Sequence, residues 1–205
     1  MKRSMKRISM KRMLCAASGV LLMTTVSFAQ APGGGAPAGI AVGLQRAYAA
    51  LKTNLTQSAE KMPEADYGFK PSNEIRSYGQ LWGHVANAQF GQCAGAKGVA
   101  NPMQGQDLEQ KTTKAEFVKA LADSFAFCDE AFSTLTDASA AEMLTGGRGG
   151  PTARSVALLG VIAHGNEMYG IGTVYQRLKG IVPPSTENQG RRGGGGGGGR
   201  GRGQQ

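Results

Sequence analysis

The sequence predicts an all-α domain, a four-helix bundle. Three observations predict it. Four stretches of roughly 20 residues carry apolar side chains at steps of three and four. Two of them are preceded by Ser/Thr-x-x-Gln/Glu pairs, the pattern of a helix start. No run alternates apolar and polar residues as a half-buried strand would, and no Asn-Gly turn marks a hairpin.

The first helix is expected from Ile40 to Met62, with Ile40, Leu44, Tyr48, Leu51, Leu55 and Ala59 on one face and Pro63 as its stop. The second runs from Tyr78 to Lys97. Ser77 and Gln80 form its capping box, Gly98 its C-terminal stop, and Tyr78, Leu81, Trp82, Val85, Ala88 and Phe90 its apolar side. The third runs from Lys114 to Leu135 behind a Thr113/Glu116 box, with the stripe Phe117, Leu121, Phe125, Cys128, Phe132, Leu135. The fourth runs from Thr152 to Lys179. Its apolar residues fall on more than one side, the pattern of a well-buried helix, and Gly180 with Ile181 closes it. Residues 98–113 and 136–151 are long enough to cross the bundle, so strict up-down-up-down order is not required.

The ends differ from the middle. Residues 1–29 hold six of the 23 Lys and Arg and no acid, and residues 185–205 hold four Arg and one acid, Glu187. The stretch 30–184 is left with 13 basic and 13 acidic residues, so the formal charge of +9 belongs to the termini. A neutral domain argues against nucleic acid as its partner. Lys2 to Arg12, the 15-residue apolar stretch Leu14–Phe28 and the small residues Ser27 and Ala29 form the pattern of a secretory signal. That places the domain in the periplasm or outside the cell, with no membrane span after cleavage. Residues 30–38 read as a flexible leader, 39–184 as the domain, and 185–205 as a disordered Gly/Arg-rich tail.

The domain keeps two cysteines, Cys93 and Cys128. In an oxidising compartment the pair suggests a disulfide; two buried, inert thiols are the alternative. Neither has an identifiable base, which argues against a cysteine nucleophile.

Only two histidines are present, His84 and His164, both within predicted helices. His84 shares a face with Leu81 and Ala88, and Glu167 and Met168 follow His164 by three and four residues, on its own face. Two inward imidazoles from different helices can meet on one metal. They can equally be core or rim histidines satisfied by neighbours such as Asn87 or Gln80. The GGRGGP run at 146–151 matches neither a P-loop nor a dinucleotide fingerprint and reads as a loop.

YGFKPSNEIRSYGQLWGHVANAQ, followed by HGNEMYGIGTVYQRLKGIVPPS, resembles the DinB/YfiT-like four-helix bundles across residues 40–184. The resemblance implies up-down-down-up order. It also implies a divalent metal on three histidines, one on the second helix and two at H-x-x-x-H on the fourth, and metal-dependent thiol chemistry in some members. Carried onto this chain, the ligands are His84 and His164, with Met168 where the third histidine belongs. A thioether is a poor ligand for zinc or nickel. The expectation is therefore a degenerate site with weak or no metal binding and a ligand- or partner-binding role. Two alternatives stand beside it: a metal-dependent thiol transferase or hydrolase, with Glu167 as a substitute third ligand, and a periplasmic copper binder using Met168. A small-molecule ligand and a homodimer are compatible with either.

Overall fold

The structure, a computed structural model, describes residues 39–145 and 150–194. The expected signal (1–29), the leader (30–38) and residues 146–149 of the glycine-rich loop lie outside the described residues, as does the chain beyond 194. Helix α1 spans Ile40–Lys61, α2 Tyr78–Lys97, α3 Lys114–Ser133, the short α4 Asp137–Ala140, α5 Arg154–Leu178 and α6 Pro184–Gly194. Single 3-10 turns lie at Glu64–Asp66 and Leu108–Gln110. The expectation of no strand needs a small correction: Met143–Leu144 (β1) pairs antiparallel with Thr152–Ala153 (β2). This ladder fastens the two sides of the long connection just before α5.

The ends of the helices are where local chemistry put them. Ser77 and Thr113 each accept from the backbone N–H three residues on, and Gln80 and Glu116 reach back to close both boxes. Gly98 and Gly180 take positive φ, 70° and 72°, which an L side chain adopts only with strain. After Gly180 the Ile181 N–H donates to the Gln176 carbonyl at 2.8 Å, so the turn closes as a Schellman motif. One cap is tertiary: Gly39 has no side chain to offer, and Asp137 of α4 accepts from Ala41 N–H at 2.8 Å.

Side-chain contacts set the order of the long helices. Tyr48 bonds the Phe125 carbonyl and Asp129, while Gln45 reaches Phe132 and Leu135, which lies just past the end of α3 rather than in its last turn as expected, so α1 and α3 run antiparallel. Gln89 meets Ser124 and Lys97 meets Glu130, so α2 and α3 run parallel. Gly165 lies against Leu51 and Gln176 against Ser58, so α5 runs with α1. The topology is up-down-down-up over α1, α2, α3 and α5. Trp82, Tyr78, Phe125, Phe132, Leu51 and Leu55 form the fully buried centre. Every member of the predicted α3 stripe is buried. Cys93 and Cys128 join α2 to α3 as a disulfide, with Cα atoms 5.4 Å apart.

Two further expectations need correction. Helix α5 is not buried all round: Val156, Leu159, Val174 and Leu178 are each more than half exposed. The tail does not begin at 185, because Pro184–Gly194 is helical. Pro184 is preset for the first helical position. The Tyr169 hydroxyl accepts from Ser185 N–H at 2.8 Å, and Glu187 pairs with Lys61. Among the described residues no helix is long and apolar enough to cross a membrane.

Candidate functional site

The two histidines meet. His84, in the second turn of α2, and His164, midway along α5, bring their Nε2 atoms to 3.3 Å, with ring centroids 5.2 Å apart. Antiparallel packing of α2 on α5 makes this possible. Gly172 permits it one step along, since a Cβ there would sit 2.8 Å from the Trp82 ring.

A residue that sequence reasoning missed completes the arrangement. Glu109, in the 3-10 turn Leu108–Gln110, faces His84 Nδ1 at 2.9 Å and holds Arg76 Nε at 2.8 Å with its other oxygen. A carboxylate only accepts, so Glu109 fixes a proton on His84 Nδ1, and in the neutral ring the Nε2 lone pair faces His164. The turn sits close because α2 has glycine beneath it: a Cβ on Gly83 would approach the Leu108 carbonyl oxygen to 2.5 Å. Asn87 accepts from Leu108 N–H at 3.1 Å and so pins the same turn, while Gln80 is occupied in its capping box. The expected neighbours therefore serve the loop and the helix end, and the imidazole goes to Glu109. Leu108 and Met103, apolar residues in a polar connection that pack on the same small cluster, were the signal that this loop folds back.

With the His84 lone pair directed at it, the neutral pair is complete when His164 Nε2–H donates. His164 Nδ1 is then an acceptor, buried, with no partner among the described residues. Burial first, and the neighbouring His84 second, hold the His164 pKa below its ordinary value of 6.5; the Glu167 charge opposes them. Since the folded value is the lower one, the unfolded chain binds the extra proton between the two values. Stability is then flat above about pH 6.5 and falls as pH drops below it. Urea midpoints at about pH 7.5 and about pH 5 are expected to differ more in wild type than in His164→Gln. Equal differences would mean that this ring does not carry the effect.

Met168 is buried one turn beyond His164, and Glu167 is exposed. Among the described residues no three His, Cys, Asp or Glu side chains converge as a metal-holding group. Nitrogens bonded at about 2.0–2.1 Å to one cation lie about 2.9 to 3.4 Å apart for right-angled to tetrahedral arrangements, so the imidazole pair by itself fits. Glu109 is the carboxylate partner that a ligating His84 needs. His164 lacks such a partner, because a metal on Nε2 would move its proton to the unmatched Nδ1. The third position that the resemblance implies, Met168, would offer only a thioether. The residues present thus fit a cation on one side of the site and fail on the other.

A cleft of about 570 Å³ opens beside Glu109 and Met168, the neighbours of the pair in space and in sequence; neither histidine lines it. Arg76, Lys70, Glu109, Met168, Ile171 and Tyr175 are among the residues lining it. Tyr175 donates its hydroxyl to the Arg76 carbonyl at 2.8 Å, and Arg76 is anchored in turn on Glu109. Arg76 and Tyr175 are held in place by these bonds, while Ile75, Leu81, Met168 and Ile171 supply the apolar lining.

The family model described as the DinB superfamily matches residues 47–169, a span that includes both histidines, Glu109 and Met168. Three solved structures are similar. A DinB-like protein from Bacillus cereus has a TM-score of 0.58 at 18% identity, over 69% of this chain and 94% of that one. A conserved protein from Enterococcus faecalis has 0.56 at 15%, over 69% and 97%. A DinB-like protein from Bacillus subtilis has 0.56 at 17%, over 68% and 94%. At these identities the likeness is one of fold. No curated protein matches. With the all-α fold, the up-down-down-up order and the family match over most of the domain in agreement, the chain belongs to the DinB superfamily.

Proposed function

We propose that this protein binds a small amphipathic molecule in the cleft beside Glu109 and Met168, and that the pair of His84 and His164 holds divalent metal weakly or not at all. The carrying observation is His164 itself: Nε2 is 3.3 Å from His84, and Nδ1 is buried without a partner. A tightly held cation would leave a buried N–H unmatched, which costs about 1–3 kcal/mol. It would also have to accept sulfur from Met168. The neutral hydrogen-bonded pair avoids both costs. The cleft is within the usual size of small-ligand sites, about 300–1,000 Å³, and combines an apolar lining with a few fixed polar groups, as such sites do. The basic n-region and the apolar stretch after it support an exported, periplasmic or secreted setting.

The experiment uses anilinonaphthalene sulfonate, which joins apolar rings to an anion. One molecule per chain is expected to bind, with a rise in fluorescence. Ile171→Trp, which narrows the cleft from its apolar lining, is expected to abolish that binding while the melting temperature stays within about 3 °C. No binding, or binding indifferent to Ile171→Trp, overturns the proposal.

A second reading is favoured by one observation, the nitrogen separation that suits a shared cation. In it the protein is a zinc- or nickel-dependent thiol transferase or hydrolase. Stoichiometric zinc or nickel, lost in His84→Ala, would establish the metal site that reading requires. Preferential copper binding, lost in Met168→Leu, would establish the copper binder instead.

A further inference from the structure

On the reading of the cleft as a small-molecule site, we infer that its ligand is a carboxylic acid with an apolar tail, the carboxylate held by the outer nitrogens of Arg76. Arg76 immediately precedes Ser77, the N-cap of α2. Two bonds from different elements fix it: its Nε donates to Glu109 at 2.8 Å, and its carbonyl accepts from the Tyr175 hydroxyl at 2.8 Å. Among the described residues nothing engages Nη1 or Nη2. A guanidinium carries its N–H donors in one plane, so fixing Nε holds the fork still and leaves both outer nitrogens free to donate.

The polar lining has donors to spare and its acceptors are spent. Glu109 commits one oxygen to His84 and the other to Arg76. Exposed Glu74 accepts from the Ser72 hydroxyl. Gln80 commits its oxygen to the Ser77 N–H, which leaves its amide nitrogen as a donor. Lys70 forms no ion pair among the described residues. A head group that only accepts matches this set. The charge of the lining limits that head group to one unit, because Glu74 and Glu109 already balance Lys70 and Arg76. A doubly charged phosphate would sit beside the guanidinium and face two carboxylates as well. A carboxylate is also planar, and it pairs with a guanidinium through two parallel N–H···O bonds.

The apolar lining sets the rest of the molecule. Leu81 and Met168 are buried, while Ile75 and Ile171 remain 41% and 38% exposed. A tail laid across the two isoleucines removes apolar surface from water on both sides, and a wholly polar acid gains nothing there. The volume of about 570 Å³ admits a phenylalkyl tail beside the carboxylate. The Arg76 side chain is 45% exposed, so its pairing with the ligand lies at the edge of solvent and is open to screening by salt.

Ligand-observed NMR titrations of the full chain at about pH 7.5 test this with phenylbutyrate and its uncharged amide, phenylbutyramide. The acid is expected to bind at least about ten-fold more tightly than the amide, a preference that shrinks as salt is raised. Arg76→Gln is expected to remove the preference by weakening the acid alone. Arg76→Lys, which keeps the charge and loses the fork, is expected to retain only part of it. Lys70→Gln changes an exposed side chain and is expected to weaken the acid about two- to three-fold. Phenylpropyl phosphate, of similar length and doubly charged, is expected to bind less tightly than the acid. Circular dichroism confirms that each variant is folded, and the wild-type comparison of the probes needs no variant. Equal binding of acid and amide, both lost in Ile171→Trp, would overturn the carboxylate head group and leave the cleft reading standing. Binding of neither probe would overturn both. A preference untouched by Arg76→Gln, a loss of acid and amide alike in that variant, or a phosphate that binds more tightly than the acid would each overturn the carboxylate inference as well.

Discussion

Replacing Met168 by histidine is expected to raise zinc affinity by on the order of a hundred-fold. The roughly 10–16 kcal/mol with which a four-ligand protein site holds zinc, shared among its ligands, assigns about 3 kcal/mol to each nitrogen. His84 and His164 are already set at 3.3 Å, and position 168 lies one turn beyond His164 on α5, so the new imidazole joins an assembled pair. Met168 is buried with little surface exposed, and histidine is not larger than methionine, so the helix accommodates the change. Competition against a chromogenic chelator near pH 7.5 measures the gain. In the Met168→His background, Glu109→Gln is expected to lower zinc affinity about 10- to 100-fold, because Glu109 orients His84 and raises its basicity. Should Met168→His bind no more tightly than wild type, the ligand position on α5 has been misassigned. Should wild type already bind zinc with submicromolar affinity, the proposal of a weak site fails and the enzymatic reading takes its place.

The second large effect concerns stability. Replacing both Cys93 and Cys128 by alanine is expected to cost roughly 4 kcal/mol. The bridge spans 35 residues, and in the chain-entropy model a closed loop of that length removes about that much from the unfolded state's freedom. For a domain of this size the melting temperature should fall by about 8–16 °C. A reducing agent should lower wild type by a similar amount and leave the double variant unmoved. The bridge ties α2 to α3 beside the buried Gln89–Ser124 contact, so its loss falls on the seam of the core that also positions His84. A melting temperature indifferent both to the substitutions and to reductant would show the two thiols to be inert.

How much of this was legible beforehand follows from the range of the forces involved. The helix boundaries of α2 and α3, both capping boxes and the left-handed glycines after α2 and α5 rest on contacts within four residues, and those are written in the order of the side chains. The α3 stripe was equally plain, since its apolar residues have one face to occupy and all of it is buried. Periodicity was less informative for α5. It showed apolar residues on several sides, but which side meets the core depends on where α1 and α2 lie, and the packing left one of those faces outside.

The residues alone determined an all-α chain with two histidines on separate helices, the second followed one turn on by Met168. Tertiary structure decided the rest: the 3.3 Å between the rings, the unmatched Nδ1 of His164, and the carboxylate of Glu109 behind His84. Those depend on how far each helix is rotated about its own axis and on a turn 25 residues away folding back over Gly83. Rotation and fold-back are set by the fit of whole surfaces, and no local spacing along the chain records that fit.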